Sequence, residues 1–232
     1  MKIGMFADSH YSSAEITCGC RYNSRSLKKI TEAYAYFAQE QCDLVVCLGD
    51  LIDHEKDHSD EVLHLREIAA IIQRQKIRTI VLMGNHDAFS FIEEEFYGIL
   101  GEECRPKTFN CERNTFFFVD ACYFKNGERY APGGGDWTDT FVPDLADIEQ
   151  QLNAAAGDCY VFIHQNIDSE IRDDHRIYND NEFRAVIERS KKVKVVYQGH
   201  YHSGHISENN GIQYITLPAM CEGENHYYVI KI

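Results

Sequence analysis

Five short apolar runs constrain this chain more than any other feature. They are KIGMFA (2–7), LVVCL (44–48), TIVLM (79–83), YVFI (160–163) and KVVYQ (194–198). Each has the length of a strand and is continuous rather than alternating, the pattern of strands buried on both faces. Helical periodicity fills the gaps between the first three. Over 24–41 the apolar residues Leu27, Ile30, Tyr34 and Phe37 recur at helical spacing; over 59–75 Val62, Leu65, Ile68, Ala69 and Ile72 do the same, with a cap near Ser59. Strand–helix–strand alternation predicts right-handed crossovers and a sheet with helices on its faces.

The rest of the chain is patterned differently. NTFFFVDACYF (114–124) predicts adjoining strands of a meander. APGGGDWTD (131–139) predicts a loop, because proline and a glycine run do not hold an element together. Pro143 stands where proline opens a helix, over about 143–155. Beyond Gly204 short strands follow, with Asn210-Gly211 as a hairpin signal. No repeat, low-complexity tract or linker interrupts the 232 residues. The expectation is one mixed α/β domain across 1–232, with a second sheet built from the later strands.

Composition narrows the classes of function. The net charge is −14, and Lys191, Lys192 and Lys194 form the one basic cluster, read as a solvated strand edge. A duplex binder needs a basic stripe to neutralise phosphates, so long nucleic acid is a poor partner. No run approaches the ~18 apolar residues of a membrane span. The start MKIGMFADSH reads as a strand rather than an export signal. The nine scattered cysteines then read as reduced thiols of a cytoplasmic protein. Cys18 and Cys20 are the one close pair, read as free thiols on a loop because a structural zinc site needs a second pair.

Each apolar run ends in the same kind of residue. The first leads to Asp8, Ser9 and His10; the second to Gly49, Asp50 and Asp53; the third to Gly84, Asn85, His86 and Asp87. The fourth leads to His164, and the fifth to Gly199, His200 and His202. Ligands of open α/β sheets bind beyond the carboxyl ends of strands, so five distant segments are expected to deliver these groups to one edge of one sheet. Imidazole with carboxylate suits first-row ions such as Mn, Fe or Zn, and a shared carboxylate bridges a dinuclear centre. Gly49, Gly84 and Gly199 are expected to let the backbone turn sharply before each ligand. Singly each block is weak, since an Asp-x-His or a Gly-Asn-His-Asp also occurs as a capped turn. Their order, each directly after a buried strand, carries the weight.

Together the blocks Asp-x-His, Gly-Asp-x-x-Asp, Gly-Asn-His-Asp, strand-end His and Gly-His-x-His resemble the calcineurin-like metallophosphoesterases over residues 8–202. The resemblance implies a four-layer α-β-β-α sandwich, with two mixed sheets flanked by helices. It implies two divalent or trivalent transition-metal ions (Mn, Fe or Zn): one held by Asp8, His10 and His202, the other by Asn85, His164 and His200, with Asp50 bridging. It also implies a phosphoesterase that cleaves a phosphodiester, pyrophosphate or phosphomonoester bond with a hydroxide activated between the ions. His86 would be the general acid and Asp87 would orient it by accepting a hydrogen bond. Asp53 would support the site or cap a helix.

The stretch CRYNSRSLKKITEA (20–33) is similar to the Arg-Tyr-Tyr-x-x-Ser-Leu segment of the manganese-dependent ADP-ribose/CDP-alcohol diphosphatases. Arg21, Tyr22, Ser26 and Leu27 match; Asn23 replaces the second Tyr, and His10 stands where those enzymes carry Gln. This implies a small nucleotide-type substrate, with Arg21 and Arg25 as phosphate contacts or as a solvated helix start. Trp137 is a candidate to stack on a base or to cover the core edge. His54 and His205 are candidate pocket-lining residues, with surface exposure as the alternative. Two other classes compete: a nuclease, opposed by the acidic charge, and a catalytically silent protein-binding scaffold, opposed by the full set of ligand positions.

Overall fold

A computed structural model describes residues 1–130 and 132–232. Its strands are β1 (Lys2–Phe6), β2 (Leu44–Cys47), β3 (Arg78–Val81), β4 (Phe109–Cys111), β5 (Asn114–Val119), β6 (Asp158–Ile163), β7 (Val193–Gln198), β8 (His205–Asn209), β9 (Ile212–Thr216) and β10 (Tyr228–Lys231). Its α-helices are α1 (Ser26–Gln39), α2 (His58–Gln75), α3 (Asn85–Ser90), α4 (Glu93–Leu100), α5 (Leu145–Ala154) and α6 (Asp180–Ser190). The strands form two mixed sheets, ordered β10-β1-β2-β3 and β4-β5-β6-β7-β9-β8.

Side-chain alternation assigns the layers. On β2, Val45 and Cys47 join the core beneath α1, α2 and α4, while Leu44 and Val46 face the other sheet. Between the sheets Phe116, Phe162 and Tyr197 stack in a row, with centroids 6.3 and 5.2 Å apart. Phe183, Val186 and Ile187 of α6, with Leu152 of α5, cover the outer face of the larger sheet. The result is the four-layer α-β-β-α sandwich expected from the sequence.

Three expectations need correction. The five ligand-bearing strand ends do not lie on one sheet: β1, β2 and β3 belong to the smaller sheet, β6 and β7 to the larger. Residues 114–124 hold one strand rather than a meander. β5 pairs in parallel with β6 and ends at Val119, where the Asp120 carboxylate accepts from Cys122 N and turns the chain out of the sheet. The helix placed at about 143–155 begins at Leu145 behind Asp144, whose left-handed φ of 53° closes the preceding turn. The hairpin at Asn210-Gly211 forms with φ of 52° and 77°, joining β8 to β9. The loop expected over 131–139 includes Ala131, which lies outside the described residues.

A surface imidazole ties α2 to α4. His58 Nδ1 lies 2.8 Å from Glu61 and its Nε2 lies 3.0 Å from Glu95. Both ring nitrogens donate only in the imidazolium form, and the hydrogen bond to Glu61 raises its pKa above the ordinary histidine value, followed by Glu95. A raised folded-state pKa gives stability that is present below the unfolded value and lost as pH climbs through the folded one. The melting-temperature difference between the native protein and His58→Gln should therefore be largest below the ordinary histidine pKa of about 6.5 and shrink as pH rises above it. A difference independent of pH would contradict the charged bridge.

Candidate metal centre

The smaller sheet's parallel ladder continues past its strands into the loops that carry the first ligands. Asp8 N donates to Gly49 O (3.0 Å), His10 N to Asp50 O (3.0 Å) and Tyr11 N to Leu51 O (2.9 Å). The larger sheet is joined to this edge by His200 N on the Asp8 carboxylate (3.1 Å) and by Met220 N on Ala7 O (2.9 Å). The sharp turns fall on the ligands themselves: Asp8, His10, Asp50 and His200 have φ of 55°, 44°, 53° and 67°. Such left-handed non-glycine residues are uncommon and persist only where the surroundings enforce them.

Two of the three glycines serve a different purpose from the one expected. Gly84 keeps an ordinary φ of −93°, but a Cβ there would collide with Asp50 Oδ1. At Gly199 a Cβ would meet Asp8 Oδ2 at 2.8 Å. Both make room for a carboxylate rather than for a turn. Gly49 combines the roles, with φ of 108° and the His164 ring 2.6 Å from where a Cβ would stand.

The side chains converge on two poles that share Asp50. At the first, His10 Nε2 and His202 Nε2 are 3.1 Å apart, with Asp8 Oδ1 3.9 and 3.7 Å from them. At the second, His164 Nε2 lies 3.3 Å from Asn85 Oδ1, and the ligand atoms of Asp50, His164 and His200 all fall within 4.8 Å of one another. Asp50 Oδ2 reaches both, 3.6 Å from His10 Nε2 and 3.3 Å from His164 Nε2. Its Oδ1 accepts from His86 N at 2.8 Å, so Oδ2 is the atom left to face the poles.

The donor set fits metal ions. His164 Nδ1 must carry its proton, because it donates to Leu48 O at 2.7 Å. In the neutral ring its Nε2 then presents a lone pair to two further oxygen acceptors. His202 Nδ1 lies 2.5 Å from Glu222 Oε1, an arrangement that orients an imidazole for a metal. Two nitrogens each bound about 2.1 Å from one ion stand roughly 3.0–3.4 Å apart, which accommodates the His10–His202 spacing. His10 Nδ1 is buried without a partner among the described residues.

Electrostatics point the same way. Burial lifts the Asp8 carboxyl above its ordinary range. Burial acts on Asp50 too, but His164, His86 and His10 outweigh it and hold Asp50 well below that range. Burial depresses His10 and His200 strongly, with neighbouring imidazoles adding to it. For His164 burial is overcome by Asp50 and Asp8, and its imidazole rises to about 9. Two buried carboxylates thus demand positive charge at a place where two of the imidazoles resist protonation.

The calcineurin-like phosphoesterase family matches the chain over residues 1–204. The chain belongs to that family. It is therefore a metal-dependent phosphoric ester hydrolase by family. A probable cyclic nucleotide phosphodiesterase of Fibrobacter succinogenes is 24% identical over 219 residues, covering 88% of this chain and 73% of that protein. Another, of Psychrobacter arcticus, is 23% identical over 231 residues, covering 93% and 75%. In fold the chain is similar to a dimetal phosphatase of Danio rerio, at a TM-score of 0.84 and 17% identity over 98% of this chain and 91% of that one.

Within this phosphoesterase scaffold, the partner of His86 departs from expectation. Asp53 Oδ1 lies 2.8 Å from His86 Nδ1. Asp87 instead accepts from Leu51 N (3.0 Å), Ile52 N (3.3 Å) and Gly84 N (3.0 Å). Adjacent residues at a helix start point in different directions, so Asp87 turns back to cap α3 while a residue from the preceding crossover reaches the imidazole. Burial, then Asp50, lifts the Asp87 carboxyl to about 7. For Asp53 burial is outweighed by its hydrogen bond with His86, and the carboxyl is held below its usual range. For His86 burial is outweighed by Asp50 and Asp53, which raise it.

The cleft over the poles holds about 520 Å³ and is lined in part by Arg21, Trp137, Arg172, His175 and Glu222. Arg21 lies 3.8 Å from Asp53. Trp137 packs edge-on to His200, with centroids 5.4 Å apart. A side cavity of about 260 Å³ is lined by His54, Asn85, His86, Phe89, Tyr130, Gly135 and Trp137. Arg25 is not brought to the site: it is exposed and lies over the Tyr22 ring. His205 is also elsewhere, 3.2 Å from Glu170. Sequence reading missed Arg172, His175 and Glu222, which sit in loops or, for His175, in a single 3-10 turn (Asp173–His175) outside the five blocks and carry no spacing signal.

Proposed function

We propose that the protein hydrolyses a phosphodiester or pyrophosphate bond of a small nucleotide-type substrate at a dinuclear centre. Asp8, His10 and His202 would hold one ion, Asn85, His164 and His200 the other, and Asp50 both. The observation that carries this reading is the gathering of five strand ends around Asp50, whose Oδ2 faces His10 and His164, beside an imidazole oriented by Asp53. Bound ions would supply Lewis acidity and a water of lowered pKa; Mn, Fe and Zn all suit the ligand set.

The chain's own groups supply the rest. Asp53 accepts the hydrogen bond from His86 Nδ1–H, leaving Nε2 to deliver a proton to the leaving oxygen. The side cavity opens against His86 and has aromatic walls in Phe89, Tyr130 and Trp137. A flat ring on the leaving group fits there better than a bare phosphate does. Arg21 lines the cleft as a cation for phosphate oxygens. The names of the two bacterial relatives agree with a nucleotide substrate. The charge of −14 favours small substrates over long nucleic acid, and nine unpaired cysteines suit the cytoplasm.

The test is hydrolysis of cyclic nucleotides, dinucleotide pyrophosphates, nucleotide sugars and monoesters by protein purified without chelator. Nucleotide diesters or pyrophosphates should be preferred. Trp137→Ala should raise KM for them by about tenfold or more, since base stacking contributes ~1–3 kcal/mol, while turnover of glycerol phosphate, which carries no ring, stays unchanged. Equal loss on both substrates, or a preference for simple monoesters, would overturn the nucleotide assignment.

A further inference from the structure

The segment after β9 returns to the first pole and is held there firmly. Lys29 is buried, and its Nζ donates to Met220 O (2.8 Å), Cys221 O (3.1 Å) and Gly223 O (2.8 Å). All three ammonium donors are thus spent on one short turn. Cys221 N donates to Asp8 O at 3.1 Å, and Cys221 O also accepts from Tyr22 N at 3.1 Å. The backbone on both sides of Cys221 is fixed against the ligand loops.

The Cys221 side chain is fully buried, and its sulfur joins no hydrogen bond among the described residues. Its ligand atom, with one nitrogen each of His10 and His202, falls in a cluster whose members all lie within 4.8 Å of one another. These are the two imidazoles whose Nε2 atoms face each other at 3.1 Å. We propose that Cys221 is a thiolate ligand at the first pole and tilts it toward thiophilic ions. The proposal rests on the reading of that pole as a metal site. Sulfur is a soft donor that favours Zn, Fe or Co over Mn, whereas oxygen donors favour the harder ion. On binding, the S–H bond breaks and its proton passes to solvent. The electron pair left on sulfur forms the bond to the ion, with no change of oxidation state.

The alternative is a buried thiol packed as a small apolar group, and cobalt separates the two. Cys18 and Cys20 are exposed, so the parent for the test is the full chain carrying Cys18→Ser and Cys20→Ser. Loaded with Co²⁺, it should show visible d–d bands together with a near-ultraviolet thiolate-to-cobalt charge-transfer band. Adding Cys221→Ser should remove the charge-transfer band and keep the d–d bands. The preference for Zn²⁺ over Mn²⁺, measured by competition, should fall by about tenfold or more. Should that variant fail to fold, sulfur scattering at the cadmium edge of the Cd²⁺-loaded parent decides the question. d–d bands without charge transfer, a charge-transfer band that survives Cys221→Ser, or cadmium with only nitrogen and oxygen neighbours would overturn the proposal. A parent that binds no cobalt or cadmium would overturn the metal-site reading with it.

Discussion

Asp50→Asn is expected to empty both poles and to reduce hydrolysis by at least ~10³-fold, because metal Lewis acidity contributes several kcal/mol to the transition state. The substitution is nearly isosteric. Asparagine keeps an oxygen for His86 N, which Asp50 Oδ1 accepts at 2.8 Å. Its amide nitrogen must then take the place of Oδ2, 3.6 Å from His10 Nε2 and 3.3 Å from His164 Nε2. A shared acceptor becomes a donor, which no cation tolerates as a ligand. Metal content, circular dichroism and turnover on one preparation check this. A folded variant that retains its metals and works within about tenfold of the parent would refute a bridging Asp50.

The second large effect separates the residues around His86. His86→Ala should keep its metals and lose ~10²–10⁴-fold in kcat on substrates with poor leaving groups, the range of general acid–base catalysis. Asp53→Asn should lose ~10–100-fold, the usual cost of removing a partner that orients a ligand or catalyst. The double variant should be no worse than His86→Ala alone, because Asp53 acts through His86. Asp87→Ala should behave differently. It strands the N–H groups of Leu51, Ile52 and Gly84, each at a cost of ~1–3 kcal/mol, so its main effect is a lowered melting temperature. If Asp87→Ala slowed catalysis without destabilising the fold, and Asp53→Asn did nothing, the pairing would be wrong.

The residues that the sequence made legible are those whose role follows from what precedes them. A continuous apolar run followed by His or Asp marks a buried strand end, and the ends of β1, β2, β3, β6 and β7 all gather around Asp50. The Asn210-Gly211 turn was legible for the same local reason. What failed was long-range or directional. The division of those strands between two sheets is set by long-range pairing, β1 with β2 and β3 in one sheet and β6 with β7 in the other, which no local pattern encodes. Asp87 was paired with His86 because they are neighbours in sequence, yet side-chain direction at the start of α3 sends it to the backbone. Asp53 and Glu222 reach their imidazoles only through the folded loops. Positive φ at Asp8, His10, Asp50 and His200 is invisible to rules that look for glycine.

The most direct test of the account is metal content and turnover measured on the same sample. Protein isolated without chelator and assayed on a nucleotide diester should carry about two transition-metal ions per chain. It should lose activity in step with their removal and regain it with Mn²⁺, Fe²⁺ or Zn²⁺. A folded protein that binds less than about one ion per chain, and hydrolyses no phosphoester whichever of these ions is added, would contradict it.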